Sequence, residues 1–175
     1  MAKVSIIGTG TWGIALGMVL AQNGHEVTAW SALPKEIEAL RESYKCKNLP
    51  GVEIPRSIVF TADLQEACTD KEMLVLSVPS VFTRGVAKQM KPFVKEGQLI
   101  VSVAKGIEEK TLMTMSQQIE EELPMANVAV LSGPSHAEEV SRGIPTTVVV
   151  GAKDRQTAEH IQNLFMSSVF RVYTS

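Results

Sequence analysis

A glycine-rich segment near the start of the chain constrains the fold more than any other feature of the sequence. Residues 8–13 read GTGTWG and match the pattern G-x-G-x-x-G, whose glycines are Gly8, Gly10 and Gly13. A short β-branched run at 3–7 precedes the segment, and an apolar stretch at 12–23 follows it. These patterns predict a strand, a tight turn and a helix in succession. In that context the motif is typical of a loop that holds a dinucleotide pyrophosphate, the alternative being a plain strand-to-helix turn.

The rest of the chain alternates short apolar runs with amphipathic stretches. Strands are predicted at 26–30, 57–60, 73–78, 98–103, 128–131, 146–150 and 170–173. Helices are predicted at 34–43, 80–90, 111–123, 135–142 and 154–165, with a further short helix capped by Asp63. This alternation predicts an α/β fold of the Rossmann type, a doubly wound, mainly parallel sheet with helices on both faces. We interpret residues 1–175 as one dinucleotide-binding domain, since no linker-like segment interrupts them.

Charge and cysteine content narrow the classes of partner. The 17 Lys and Arg residues nearly balance the 19 Asp and Glu residues, so the net charge is −2. No apolar run approaches the roughly 20 residues of a membrane-spanning helix. We therefore expect a small-molecule ligand, with no nucleic acid, membrane or metal as a partner. The two cysteines, Cys46 and Cys68, show no metal-ligand spacing and favour a reducing, cytoplasmic compartment.

The end of the second predicted strand bears on the choice of cofactor. An acid there favours NAD, and a nearby Arg favours the 2′-phosphate of NADP. This chain has Ser31 and Ala32 at that point, with Lys35 close by. NADPH and NADH both remain open as cofactors, and the absence of a carboxylate slightly favours NADPH. Ser31 is equally interpreted as the N-cap of the following helix.

Three later strand ends carry candidate site residues, because ligands of open α/β sheets lie outside the carboxyl ends of the strands. Pro79 follows one strand and Lys105 the next. Lys105 is a cation that could neutralise a phosphate or polarise a carbonyl, or it is a solvated loop lysine. Gly133 and Ser135 open a predicted helix whose N–H groups suit an anion, with ordinary capping as the alternative.

Five short motifs appear in order along the chain. They are GTGTWG at 8–13, LPG at 49–51, VPS at 78–80, KGIE at 105–108 and SGPS at 132–135, the last followed by Ala137 and Glu139. Over essentially the whole chain, this set resembles the N-terminal half of bacterial NAD(P)-dependent glycerol-3-phosphate dehydrogenases. The resemblance implies reduction of dihydroxyacetone phosphate to sn-glycerol 3-phosphate, the first step toward the glycerophospholipid backbone.

The resemblance also implies roles for particular residues. Lys105, Gly133 and Ser135 are expected to contact the substrate, with Lys105 as the catalytic residue at the junction with the nicotinamide. The expected cofactor-binding residues are Gly8, Gly10, Thr11, Trp12, Gly13, Ser31, Ala32, Asn48, Pro79, Lys105 and Ala137. The chain departs from the family at Ser31 and Ala32, where a basic or imidazole residue is frequent. It departs again at Asn48, where an aromatic residue is common.

Members of the family are much longer than this chain and have a second, all-helical domain. That domain carries the proton-donating lysine and the ligands of the substrate phosphate. We therefore expect this chain to be the cofactor-binding domain without its helical substrate domain, and to be inactive alone. Such a domain is expected to expose an apolar face and to self-associate, with a homodimer as the candidate assembly. The alternatives are a stand-alone dinucleotide-sensing module and another two-domain dehydrogenase of the hydroxyacyl-CoA or ketopantoate type.

Overall fold

A computed structural model describes residues 1–133 and 135–175, so Pro134 of the SGPS motif lies outside the described residues. The strands are Lys3–Ile7 (β1), Glu26–Trp30 (β2), Val59–Thr61 (β3), Met73–Leu76 (β4), Leu99–Ser102 (β5), Asn127–Ser132 (β6), Thr146–Gly151 (β7) and Phe170–Thr174 (β8). The α-helices are Thr11–Gln22 (α1), Pro34–Ser43 (α2), Leu64–Cys68 (α3), Thr83–Met90 (α4), Met115–Glu122 (α5), Ala137–Ser141 (α6) and Arg155–Phe165 (α7).

The strands form an eight-stranded sheet in the order β3-β2-β1-β4-β5-β6-β7-β8. Its first six strands follow the order 3-2-1-4-5-6 of the doubly wound dinucleotide-binding fold, and all their pairings are parallel. The predicted α/β class is therefore confirmed. From β1 the chain adds β2 and β3 on one side, and then β4, β5 and β6 on the other side. A crevice is expected at this switch in strand order, outside the carboxyl ends of β1 and β4.

Two hydrophobic cores cover the two faces of the sheet. Successive strand side chains point to opposite faces, so that Ile6 belongs to one core and Ile7 to the other. Helices α1, α2, α6 and α7 contribute their buried residues to the core around Ile6. Helices α3, α4 and α5 contribute theirs to the core around Ile7. The sheet is thus buried on both sides, which explains the continuous apolar runs of its central strands.

The structure corrects several predicted details. Helix α5 begins at Met115 rather than at 111, because Thr114 caps it and shares a reciprocal capping box with Gln117. Leu112 belongs to the predicted helix, but in the structure it lies before α5 and is 75% exposed with a φ of 63°. The predicted helix at 80–90 opens with a 3-10 turn before α4. Strand β7 runs antiparallel to β6, and β8 then pairs parallel to β7.

Within the described part of the chain, none of the helices combines the length and the apolarity that a membrane crossing requires. The same residues contain no group of three or more His, Cys, Asp or Glu side chains placed to hold a metal ion.

Candidate dinucleotide-binding site

Two of the motif glycines lie where a side chain would meet the backbone. Gly8 has a φ of +122°, and a Cβ there would lie 2.8 Å from the Val78 nitrogen. A Cβ on Gly13 would overlap the carbonyl oxygen of Gly8 and crowd Ser77 Oγ. That hydroxyl donates a 2.9 Å hydrogen bond to the same oxygen. Both positions therefore require glycine, and together they hold α1 against the ends of β1 and β4.

The third glycine faces open space. Gly10 is exposed and is the N-cap of α1, and a Cβ there would meet nothing within 4 Å. Thr11 is the first residue of the helix, and no side chain caps this end. The first N–H groups of α1 are thus left for a ligand, and the helix dipole favours an anion there. These residues fit the pyrophosphate of a dinucleotide.

A cleft of about 350 Å³ lies beside this loop, at the carboxyl ends of the central strands. It brings together five of the residues predicted from the sequence, namely Trp12, Pro79, Lys105, Gly133 and Ser135. Lys105 Nζ donates a hydrogen bond of 3.1 Å to the Gly133 carbonyl oxygen. Strands β1, β4, β5 and β6 therefore deliver the glycine loop, Pro79, Lys105, Gly133 and Ser135 to one edge of the sheet.

The segment after Lys105 is held by an arginine that the sequence analysis did not identify. Arg84 in α4 forms a two-pronged pair with the Glu108 carboxylate, at 2.8 and 2.9 Å. It also contacts Glu121 at 2.6 Å and Glu122 at 3.0 Å. Hydrogen bonds from Arg84, then one from Thr111, lower the pKa of Glu108 to about 2. The same carboxylates raise the pKa of Arg84 above its ordinary value.

Four predicted cofactor residues lie away from this cleft. Ala32 is exposed after β2, and Asn48 is exposed in the turn after α2. Ala137 begins α6 and packs on the core around Ile6. Ser31 is buried, but it is not the N-cap of α2, which is Leu33. Instead its hydroxyl accepts a 3.2 Å hydrogen bond from the Leu33 N–H, so the capping interpretation is wrong.

A carboxylate nevertheless reaches the end of β2. Glu36, in the first turn of α2, accepts hydrogen bonds from the Thr9 and Ser31 hydroxyls, the latter at 3.2 Å. The premise that no carboxylate lies at this end of the sheet is therefore wrong. Inspection of the residues directly after β2 missed Glu36, because the helical turn brings it back toward the strand.

The described residues also line a larger cavity, of about 570 Å³, at the opposite edge of the sheet. Gln98, Leu99 and Asn127, at the amino ends of β5 and β6, form part of its wall. Ligands of open parallel sheets bind at the carboxyl ends of the strands, and the motif glycines lie there too. The smaller cleft is therefore the candidate site, despite its volume.

Comparison with known proteins identifies the family of this chain. The sequence model of the family described as "NAD-dependent glycerol-3-phosphate dehydrogenase N-terminus" matches residues 3–158. A glycerol-3-phosphate dehydrogenase [NAD(P)+] of Agathobacter rectalis is 60% identical over 100% of this chain and 52% of its own length. The corresponding protein of Fusobacterium nucleatum is 52% identical over 100% of this chain and 53% of its own length. The chain thus spans about half the length of these curated relatives.

Solved structures show the same relationship. The glycerol-3-phosphate dehydrogenase of Coxiella burnetii superposes with a TM-score of 0.92 at 27% identity, over 99% of this chain and 54% of the other. A ketopantoate reductase of Ralstonia eutropha superposes with a TM-score of 0.73 over 99% of this chain and 56% of the other. At 21% identity, this likeness shows a shared fold and nothing more. The cofactor class is NAD(H) or NADP(H), as the family description and the relatives' names state. The chain belongs to the NAD-dependent glycerol-3-phosphate dehydrogenase family, and it corresponds to the N-terminal, dinucleotide-binding part of that family.

Proposed function

We propose that this chain is one dinucleotide-binding domain, residues 1–175, that binds NADH or NADPH across its carboxyl edge. Joined to a second half like that of its relatives, it would serve the reduction of dihydroxyacetone phosphate to sn-glycerol 3-phosphate. The observation that carries the proposal is the cleft in which Trp12, Lys105 and Ser135 meet beside the glycine loop. The relatives' shared name supports the choice of substrate.

In this proposal the chain's own residues bind and orient, and the cofactor supplies the hydride. The N-terminus of α1 would hold the pyrophosphate, with Gly10 allowing close approach of the backbone. The Lys105 ammonium is exposed and lies at the rim of the cleft. A cation there would stabilise negative charge on a substrate carbonyl or phosphate oxygen. The proton donor is assigned by family resemblance to the second half.

The test is a turnover assay of a protein in which this chain is joined to the relatives' second half. Loss of reduced-cofactor absorbance is followed with dihydroxyacetone phosphate as substrate. Lys105→Met should lower kcat/KM by about 100-fold or more, as expected for removal of an electrostatic group from an active site. Lys110→Met removes an exposed lysine of the same segment and should leave kcat/KM unchanged. No turnover in the parent protein, or full activity in Lys105→Met, would contradict the proposal.

We further infer that the product enters glycerophospholipid synthesis in the cytoplasm, without a nucleic-acid or membrane partner. The resemblance supports the pathway, and two free cysteines support a reducing compartment. Burial raises the pKa of the Cys68 thiol to about 12, so this thiol is unreactive at neutral pH. A homodimer remains the candidate assembly.

A further inference from the structure

We propose that Glu36 makes this site prefer NADH over NADPH. The inference rests on the proposed function, because it assumes that a dinucleotide binds at the carboxyl edge. It concerns the adenosine end of the site, on the far side of the glycine loop from Lys105. The residues directly after β2 leave the preference open, and the position of the Glu36 side chain decides it.

The Glu36 carboxylate is tied to both elements that would flank the adenosine ribose. One oxygen accepts from the hydroxyl of Thr9, which is buried inside the glycine loop. The other accepts from the hydroxyl of Ser31, which is buried at the end of β2. The carboxylate itself is partly exposed. It is therefore fixed in the gap between the ends of β1 and β2 and still open to a ligand.

This position has a defined chemical consequence. In dinucleotide-binding folds, an acid at the end of the second strand accepts a hydrogen bond from the ribose 2′-hydroxyl. A 2′-phosphate brings negative charge to the same place, and two like charges in contact are strongly unfavourable. Glu36 reaches this place from helix α2 rather than from the strand itself. The Glu36 carboxylate would therefore face the ribose 2′-hydroxyl of NADH or the 2′-phosphate of NADPH, and it is expected to favour the hydroxyl.

Two arginines near this end are already engaged by other groups of the chain. The Arg41 guanidinium donates two hydrogen bonds to the Phe60 carbonyl oxygen, at 3.0 and 2.7 Å. Arg56 stacks over the Tyr44 ring, 4.6 Å from its centre. Lys35 is exposed and adjacent to Glu36 in the sequence, so it is a cation that could instead attract a 2′-phosphate. The variant Lys35→Gln isolates the contribution of this lysine.

The experiment is calorimetric titration of the 175-residue chain with NADH and with NADPH. The parent chain should bind NADH at least about tenfold more tightly, a ratio that corresponds to about 1.4 kcal/mol. The variant Glu36→Gln keeps a hydrogen-bond acceptor of similar size at this position but removes the negative charge. It should reduce the ratio of NADH affinity to NADPH affinity by about tenfold. Glu38→Gln, an exposed acid in the same helix, is the matched control and should leave the ratio unchanged. Lys35→Gln should also leave NADH favoured.

A second measurement needs no variant. Salt screens the repulsion between the Glu36 carboxylate and the 2′-phosphate of NADPH. The preference of the parent chain for NADH over NADPH should therefore decrease as the salt concentration is raised. Tighter binding of NADPH by the parent chain, or an unchanged ratio in folded Glu36→Gln, would overturn the assignment of Glu36 while leaving the proposed function intact. Failure of both cofactors to bind would contradict the proposed function, and this inference with it.

Discussion

Gly10 and Gly13 belong to one motif, but their surroundings give them different roles. Gly13 lies against the Gly8 carbonyl and the Ser77 hydroxyl, so it is required for packing α1 onto the sheet. Gly10 faces open space and has a φ of −66°, which any residue can adopt. We propose that Gly10 gives a ligand access to the backbone. Substitution of Gly13 is therefore expected to lower stability, whereas substitution of Gly10 is expected to weaken binding.

We expect Gly13→Ala to destabilise the fold by about 1–3 kcal/mol, because the added methyl overlaps backbone that cannot move freely. Gly10→Ala should change stability by less than about 1 kcal/mol. It should nevertheless weaken dinucleotide binding, since the methyl would stand in the path of the pyrophosphate. Urea unfolding and calorimetric titration of both variants measure these effects. Equal stability of the two variants would contradict the packing role of Gly13.

The residues that the sequence located are those whose position follows from a strand end. Trp12, Lys105 and Ser135 come directly after strands or the glycine turn, and parallel topology alone brings them into one cleft. Glu36 and Arg84 could not be found in this way. Each acts through a side chain that extends from a helix to another element, and that reach depends on packing rather than on spacing along the chain.

At the scale of elements, the segment between β5 and α5 is the clearest case of a loop fixed by charge. It carries Lys105, and Arg84 clamps it through Glu108. The backbone closes on itself as well, since the Leu112 N–H donates to the Glu108 carbonyl oxygen at 2.7 Å. We infer that this clamp positions Lys105 by restricting the loop that follows it.

The clamp should respond to acid. The pKa of Glu108 is lowered from 4.5 to about 2, so the clamp's stabilisation is complete above about pH 4.5 and is lost as pH falls through about 2. The carboxyl carbon of Glu108 should titrate near 2 by NMR. The Leu112 amide should exchange faster in Glu108→Gln at neutral pH, whereas Glu109→Gln, an exposed neighbour, should exchange as the parent does. Titration of Glu108 at an ordinary value would show that the clamp does not form.

The start of α5 shows why element boundaries are hard to predict. Apolar spacing predicts a helix from 111, which would include Leu112. The capping box between Thr114 and Gln117 starts it later and leaves Leu112 exposed. By contrast, α7 matches the helix predicted at 154–165, and the Asp154 carboxylate caps it by accepting from the Thr157 N–H at 2.8 Å. The Asp154 cap stands just before the apolar pattern of α7 begins, so the start of that helix can be predicted. The Thr114 cap lies within the apolar pattern that begins at Leu112, so the start of α5 cannot be predicted in the same way.

For the whole molecule, the sheet of six parallel strands follows from alternating strands and helices. The antiparallel entry of β7 did not follow from that pattern. Its apolar run resembles those of the parallel strands, and α6, which connects it to β6, has only five residues. Helix length alone does not mark the reversal, because α3, also of five residues, connects β3 to β4, which run in the same direction.

The molecule also exposes large apolar side chains beside the candidate site. Val81 and Phe82 follow β4, and Ile107 and Leu112 follow β5, and all four are more than half exposed. Exposed apolar surface of this kind favours association. We expect the chain to self-associate with rising concentration in sedimentation equilibrium. The double variant Val81→Ser, Phe82→Ser should weaken association, whereas Val59→Ser, at an exposed position of the edge strand β3, should not. A parent chain that stays monomeric at high concentration would contradict this expectation.

The central claim is that a dinucleotide binds at the carboxyl edge of the sheet beside the glycine loop. Tryptophan fluorescence during NADH titration tests it most directly, because Trp12 lines the cleft and Trp30 is buried within the sheet. The claim predicts saturable quenching in the parent chain. In Trp12→Phe the quenching should be largely lost, while calorimetry still detects binding. Calorimetric binding with the same quenching in Trp12→Phe as in the parent would place the cofactor elsewhere, and no binding by either method would contradict the claim.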